Sequence, residues 1–309
     1  MIRPPHLPPP AGPGDRVGVA ALSGPVDPAR LSAGVEALRR LGFEPVLADN
    51  LGSRHGFFAG TDAERLAAFH RLAADPGLTA IFFARGGHGL MRLLPALDWD
   101  LLRRHPRAYV GYSDLTPFLL GLVERLGLVS FHGPLVAAEL ARGLSGPEEE
   151  SLLGALAGRY PVEQPFTSTL REGENGGASG PLLGGCLSLL AATLGTPFFP
   201  DLEGSLVFWE DINEAPYKVD RMLTHLSLSG NLANIEGMIV GHIEGAGEPG
   251  GEPAKTAEWP AVVASNLSGF SWPLAWGLES GHVAPNRTLP VGLPARLDTA
   301  NGRLVLGLG

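Results

Sequence analysis

Nucleophilic acyl transfer needs a hydroxyl that attacks, an imidazole that takes its proton and a carboxylate that orients the imidazole. Ser113 lies in Tyr109-Val110-Gly111-Tyr112-Ser113-Asp114-Leu115-Thr116-Pro117-Phe118, an apolar strand end followed by helix-starting residues. A serine on such a corner stands clear of the sheet edge with backbone N–H groups behind it, as a nucleophile elbow requires, although Gly-Tyr-Ser-Asp is not G-x-S-x-G. The same context suits a helix cap, so the serine needs partners before the chemical reading prevails. Glu210 and Asp211 close an apolar strand, where a carboxylate is costly to desolvate unless paired. His282 sits in a glycine-rich turn stiffened by Pro285 and Pro290, a rigid mount for a base. His132, in Phe131-His132-Gly133-Pro134, competes for the same role, and spacing does not choose between them.

Arg85-Gly86-Gly87-His88-Gly89 follows another apolar strand. Such a turn can close tightly, offer N–H groups to an anion, or stabilise the oxyanion of acyl transfer. It lacks the Lys-Ser/Thr of a P-loop and the full G-x-G-x-x-G, which speaks against a nucleotide site. The chain has no HExxH and no His pair at helical spacing with a carboxylate, and its nine histidines are scattered. Cys186 is the single cysteine, which excludes an internal disulfide and a CxxC metal site. The expectation is chemistry without a metal or cofactor.

The elements that must position these groups alternate in type. Apolar strands are expected at Arg16–Leu22, Phe43–Leu47, Thr79–Ala84, Ala108–Tyr112 and Val129–Pro134. Helices are expected from Asp27 to Leu41, from Asp62 to Ala74, after Gly89 to Leu94, and beyond Ser113. Alternation at this spacing means a parallel, doubly wound sheet, whose ligand sites lie outside the carboxyl ends of the strands. Both Gly86-Gly87 and Ser113 fall there. The pattern weakens after Leu140, with a short helix near Glu148–Leu156 and a Gly- and Glu-rich run to Gly180. A small-residue stretch is then helical from Cys186 to Leu194, and Ser205–Trp209 is a strand ending in Glu210-Asp211. Pro216–Leu228 is an amphipathic helix, Ile235–Gly241 a strand, and the tail short strands and turns. The domains expected are 14–140, an α/β unit, and 179–309, β-rich and mixed, with 141–178 connecting them.

Length and composition agree with two domains: 309 residues, 44% hydrophobic and 18% charged, enough for a sizeable core. A net charge of -9 argues against nucleic acid as a partner, since phosphate binding needs clustered Lys and Arg. The Pro-rich lead-in has no apolar core of a signal peptide, and no run approaches the roughly 20 apolar residues of a membrane span. A cytoplasmic protein without a membrane partner is the expectation.

These motifs in this order resemble the LD-carboxypeptidases (muramoyltetrapeptide carboxypeptidases) and their microcin-immunity relatives, which are serine peptidases. The resemblance runs from about Gly14 to Leu293. Its anchors are Phe58-Ala59-Gly60-Thr61 with Glu64-Arg65-Leu66, Arg85-Gly86-Gly87-His88-Gly89, Gly111-Tyr112-Ser113-Asp114 and His132-Gly133-Pro134. In the second half they are Gly184-Gly185-Cys186-Leu187, Gly195-Thr196-Pro197, Glu210-Asp211-Ile212 with Tyr217-Lys218-Val219-Asp220-Arg221, and Gly281-His282 with Thr288-Leu289-Pro290. The resemblance implies a flavodoxin-like parallel N-terminal domain, a smaller β-rich C-terminal domain and an active site in the cleft between them. It also implies a triad of Ser113, His282 and Glu210, and it demotes His132 and Asp211. The oxyanion hole would be the amide of Asp114 with one from Gly86 or Gly87. The implied substrate is a murein tetrapeptide that loses its terminal D-alanine; on its loop position alone, Arg85 is the candidate partner for a substrate carboxylate, with His88 in the same loop. A homodimer is compatible with the family and untested by these residues. Two departures bear on substrate fit: His88 stands where the family often has Tyr, and Cys186 where Gly-Gly-Asn is usual. Two other readings stay open. One is a microcin-immunity-type peptidase acting on an aminoacyl-nucleotide, whose base Trp259, Trp272 or Trp276 would stack. The other is a binding protein that keeps the site without the reaction.

Overall fold

A computed structural model describes residues 5–173, 176–244 and 259–307 and divides the chain into two compact units. The first holds Met1–Arg159 and Pro285–Pro290; the second holds Tyr160–Ala284 and Val291–Gly309. A helix therefore lies at the end of the first unit, α5 (Gly146–Leu156), and two strands open the second, β6 (Val162–Pro165) and β7 (Ser168–Arg171). The stretch 141–178, expected as a connection, is thus largely regular structure.

In the first unit β1 (Arg16–Ala20), β2 (Glu44–Leu47), β3 (Ala80–Phe83), β4 (Ala108–Gly111) and β5 (Ser130–His132) pair in parallel in the order 5-4-3-1-2. That is the flavodoxin-like order, with its switch point between β1 and β3. β3 and β4 are buried at every residue, as a strand covered on both faces must be. Strand β12 (Leu289–Val291) adds beside β5, so the tail expected in the C-terminal domain returns to this sheet. Its approach is secured by α5: the buried Glu148 carboxylate accepts Asn286 N–H at 2.7 Å, and Ser151 Oγ accepts Thr288 N–H at 3.0 Å. Burial alone would raise the Glu148 pKa, but Arg142 and the amides of Asn286 and Ser145 bring it to about 2.

The helices begin where short polar residues can cap them. Asp27 Oδ1 accepts Arg30 N–H at 2.9 Å at the head of α1 (Pro28–Arg40). Thr61 and Glu64 form a reciprocal capping box on α2 (Asp62–Ala74). After Gly89 the expected helix is two 3-10 turns, Leu90–Arg92 and Leu94–Ala96, because Pro95 cannot continue an α-helix. The short α3 (Trp99–Arg104) follows. Helix α4 (Thr116–Leu126), which carries the elbow, is buried along most of its length. Its Phe118 ring meets the edges of Phe69, Phe83 and Tyr109 at centroid distances of 5.6, 5.6 and 5.4 Å. Such pairs add roughly 0.5–1.5 kcal/mol each beyond burial, so the elbow stands on a stiff base.

The second unit is an eight-stranded mixed sheet. Its middle is parallel: β8 (Gly177–Cys186), β9 (Leu206–Ile212), β10 (Gly237–Glu244) and β11 (Leu274–Trp276). Antiparallel β13 (Pro294–Asp298), β14 (Arg303–Leu306) and β6 extend one side, and β7 the other. Helices α6 (Leu187–Thr193), α7 (Pro216–Leu228) and α8 (Trp259–Asn266) complete the unit. Trp259, Trp272 and Trp276 are 2%, 7% and 5% exposed, so all three pack inside and none offers a face for stacking a base.

Candidate active site

Strand β4 ends at Gly111, and the chain turns at once into a 3-10 turn, Ser113–Leu115, that feeds α4. Ser113 takes φ +64°, one of two non-glycine residues with positive φ among those described. This strained conformation costs about 1–3 kcal/mol and persists only where the surroundings enforce it. The strand-to-helix corner expected from sequence is thus present, with Ser113 at its turn. Its neighbour Tyr112 is buried and donates from its hydroxyl to Glu139 Oε1 at 2.8 Å.

The glycine turn after β3 lies against the serine. A Cβ on Gly86 would fall 2.9 Å from Ser113 Cβ and 3.0 Å from Oγ, so only glycine allows this approach. Gly24 N–H donates to Gly86 O at 3.1 Å, tying the turn to the loop after β1 across the switch point. Gly86 is therefore beside Ser113 as expected, while Gly87, at φ +115°, lies against Gly24. Arg85 is exposed and donates from Nη1 to Pro25 O at 2.8 Å, which occupies part of its guanidinium. His88 is exposed.

In the second unit the structure brings Glu210 and His282 together. Glu210 is fully buried at the end of β9, and its Oε2 lies 2.7 Å from His282 Nδ1 and accepts the backbone N–H of His282 at 3.0 Å. A carboxylate oxygen only accepts, so Nδ1 carries the hydrogen of this contact and the ring is held in one orientation. Two glycines make room for the carboxylate. A Cβ on Gly241 would approach Glu210 Cβ at 3.0 Å, and one on Gly281, at φ +99°, would strike Glu210 Cγ at 2.3 Å. A register shift between Val240 and Ile243 opens β10 at this point.

Strand alternation sends Asp211 to the opposite face from Glu210. There its Oδ2 accepts Ser188 N–H at 2.7 Å in the first turn of α6, a capping task. Burial, and then the Glu210 charge, push the Asp211 pKa up to about 6. Cys186, expected within a helix, instead ends β8 as the residue capping α6. Burial pushes its thiol well up, which leaves it a poor nucleophile. His132 is inside β5, 1% exposed, with its ring against Tyr112 at 5.3 Å. The residue whose side chain sequence reasoning passed over is Asp114: its Oδ2 accepts Leu90 N–H at 2.9 Å, and burial raises its pKa. Its acidity after a strand-end serine was the available signal, read there only as a helix start.

A strained serine beside a glycine turn lies in the first unit and a histidine oriented by a buried carboxylate in the second, in a chain of two sheets flanked by helices. Comparison with known proteins gives the family. The model of the LD-carboxypeptidase N-terminal domain matches residues 17–133, and that of the C-terminal domain matches residues 179–297. The "Probable murein peptide carboxypeptidase" of Bacillus subtilis is 36% identical over 301 residues, covering 96% of this chain and 92% of that protein. The murein tetrapeptide carboxypeptidase of Pseudomonas aeruginosa is 31% identical, covering 92% and 93%. The solved muramoyltetrapeptide carboxypeptidase of Oxalobacter formigenes superposes with a TM-score of 0.83 at 30% identity, covering 95% of this chain and 99% of that one. The microcin C7 self-immunity protein MccF of Escherichia coli is 28% identical over 96% of this chain and 94% of that protein. The chain belongs to the LD-carboxypeptidase family. Among the described residues no helix is long and apolar enough to cross a membrane, and no cluster of His, Cys, Asp and Glu could hold a metal ion.

Proposed function

We propose that the protein is a serine-type LD-carboxypeptidase that releases the terminal D-alanine of a murein tetrapeptide, a reaction of peptidoglycan recycling. The observation that carries the mechanism is the Glu210–His282 pair, a buried carboxylate 2.7 Å from Nδ1 that orients the imidazole. Ser113 Oγ attacks the carbonyl carbon joining the L-centre of the third residue to D-alanine, and His282 Nε2 takes the hydroxyl proton. The carbonyl oxygen becomes an oxyanion, held by the amide of Asp114 and that of Gly86 or Gly87. The intermediate collapses as the C–N bond breaks, and His282 returns the proton to the leaving amine. Water then attacks the acyl-enzyme, giving up its proton to His282, and the tripeptide leaves with a new carboxylate as Ser113 regains its hydrogen. Arg85 is the candidate for the substrate's terminal carboxylate, with His88 beside it.

Relatives named murein peptide or tetrapeptide carboxypeptidases support this substrate class. The relation to MccF keeps an aminoacyl-nucleotide amide as the second substrate class, but burial of the three tryptophans removes the residues that favoured it. The test is mass spectrometry of L-Ala-D-Glu-meso-diaminopimelate-D-Ala incubated with wild type and with Ser113→Ala. Loss of one D-alanine with wild type alone is the expected result. Loss with both would sink the serine mechanism, and loss with neither would turn the search to the nucleotide amide and then to a binding role.

A further inference from the structure

The carboxyl group of Asp114 has no place in the proposed triad, yet it is 3% exposed and directly follows Ser113. Three loops meet around it. From the loop after β3, Leu90 N–H donates to its Oδ2 at 2.9 Å. From the loop after β1 comes Ser23, also buried, while burial, against the Leu90 amide, raises the pKa of the carboxyl group. The same two loops are bound to each other by Gly24 N–H to Gly86 O at 3.1 Å. Arg65, with no exposed side-chain surface, donates to Leu22 O and, at 3.2 Å, to Gly89 O. The Arg85–Gly89 turn is therefore held at its start by Gly24 and at its end by Asp114 and Arg65, with Gly86 resting on Ser113 between these anchors.

We propose that the Asp114 carboxylate is a positioning group for the oxyanion site: by accepting Leu90 N–H it sets the height of the glycine turn over Ser113, so that the Asp114 amide and a Gly86 or Gly87 amide converge on one oxygen. The inference rests on the serine mechanism proposed above. Its physical logic is geometric. Hydrogen-bond donors stabilise an oxyanion only when held within a narrow distance range before the charge develops. Ser113 at φ +64° also needs its surroundings to enforce its conformation, and the bond from the next residue's side chain to the facing loop does so. What matters is an acceptor at Oδ2, so asparagine, which keeps a carbonyl oxygen there, preserves the function.

The experiment measures kcat and KM on the tetrapeptide, together with affinity for a peptidyl boronic acid whose boron replaces the scissile carbonyl. The tetrahedral adduct of that inhibitor with Ser113 places an oxygen where the oxyanion forms. Asp114→Ala is expected to lower kcat by about 10²–10³-fold, the range for loss of an oxyanion-hole donor. It should weaken the boronate by a similar factor and leave KM within about threefold, since the ground-state carbonyl does not depend on the hole. Asp114→Asn should stay within about tenfold of wild type in both readouts, as a retained acceptor requires. Should the alanine variant fail to fold by circular dichroism, Asp114→Val, similar in shape and without acceptors, is read in its place. Wild-type kcat and boronate affinity in the Ala or Val variant would overturn the inference, as would an Asn variant as impaired as Ala. Ser113→Ala separates the two levels: if it is inactive while Asp114→Ala is fully active, only the positioning role falls. Residual wild-type activity in Ser113→Ala would remove the serine mechanism and this inference with it.

Discussion

Gly281→Ala tests the His282–Glu210 geometry with one methyl group. The added Cβ would lie 2.3 Å from Glu210 Cγ, 2.4 Å from Cδ and 2.5 Å from Oε2. Carbon atoms in contact prefer roughly 3.5–4.0 Å, so relief needs a displacement on the order of 1 Å. Either the carboxylate retreats or the backbone at Gly281 moves and carries His282 with it; both break the 2.7 Å contact to Nδ1. Because φ is +99°, the alanine backbone adds a strain of about 1–3 kcal/mol. A misplacement of about 1 Å costs on the order of 10²-fold in rate, and complete loss of the orienting carboxylate about 10⁴-fold. The expected kcat is therefore 10²- to 10⁴-fold below wild type by these scales, with KM little changed and unfolding free energy lowered by about 1–3 kcal/mol. The assay is D-alanine release under saturating and limiting tetrapeptide, beside urea unfolding. A folded Gly281→Ala protein with kcat within threefold of wild type would refute the reasoning, because the methyl group cannot be seated without moving one partner of the pair.

Two further outcomes follow from the same atoms. Gly86→Ala places a Cβ 2.9 Å from Ser113 Cβ and 3.0 Å from Oγ, so kcat should fall at least tenfold and unfolding free energy by about 1–3 kcal/mol; unchanged kinetics would mean that this turn does not adjoin the reacting hydroxyl. For Asp211, a folded pKa of about 6 against 3.8 means the native state holds this proton more tightly than the unfolded chain. Its contribution to stability therefore falls as pH rises from about 4 to about 6, by about 3 kcal/mol in total. Asp211→Asn lacks this loss, so urea unfolding should show the wild type weakening relative to the variant between pH 4 and pH 7; parallel profiles would contradict the assignment.

Much of the first unit was legible because its signals are local. Apolar strands alternating with capped helices specify a parallel sheet, and Gly111–Pro117 reads as a strand-to-helix corner without knowledge of any distant residue. Helix expectations failed where one residue overrides a run, as Pro95 does after Leu90. The two short strands of the connection were not expected, and those of the tail were expected only as a type, because neither stretch has the apolar runs alternating with capped helices that mark the first unit. Nothing in Leu289–Val291 announces that it pairs beside β5.

The candidate site divides along the same line. Sequence alone determined which residue types were available, that Ser113 sits on a corner, and that a glycine turn shares its sheet edge; each depends on neighbours in the chain. The family resemblance preferred His282 and Glu210, but the residues themselves left His132 and Asp211 open. Only tertiary structure decided which histidine meets which carboxylate. Glu210 and His282 are 72 positions apart, and their contact depends on a bulged strand and two glycines that leave space for a buried carboxylate. In the first unit His132 is buried inside β5, and in the second strand alternation turns Asp211 to the opposite face. The Asp114–Leu90 bond is of this kind too: both residues are visible in the sequence, but the 2.9 Å between them exists only because two parallel strands end side by side.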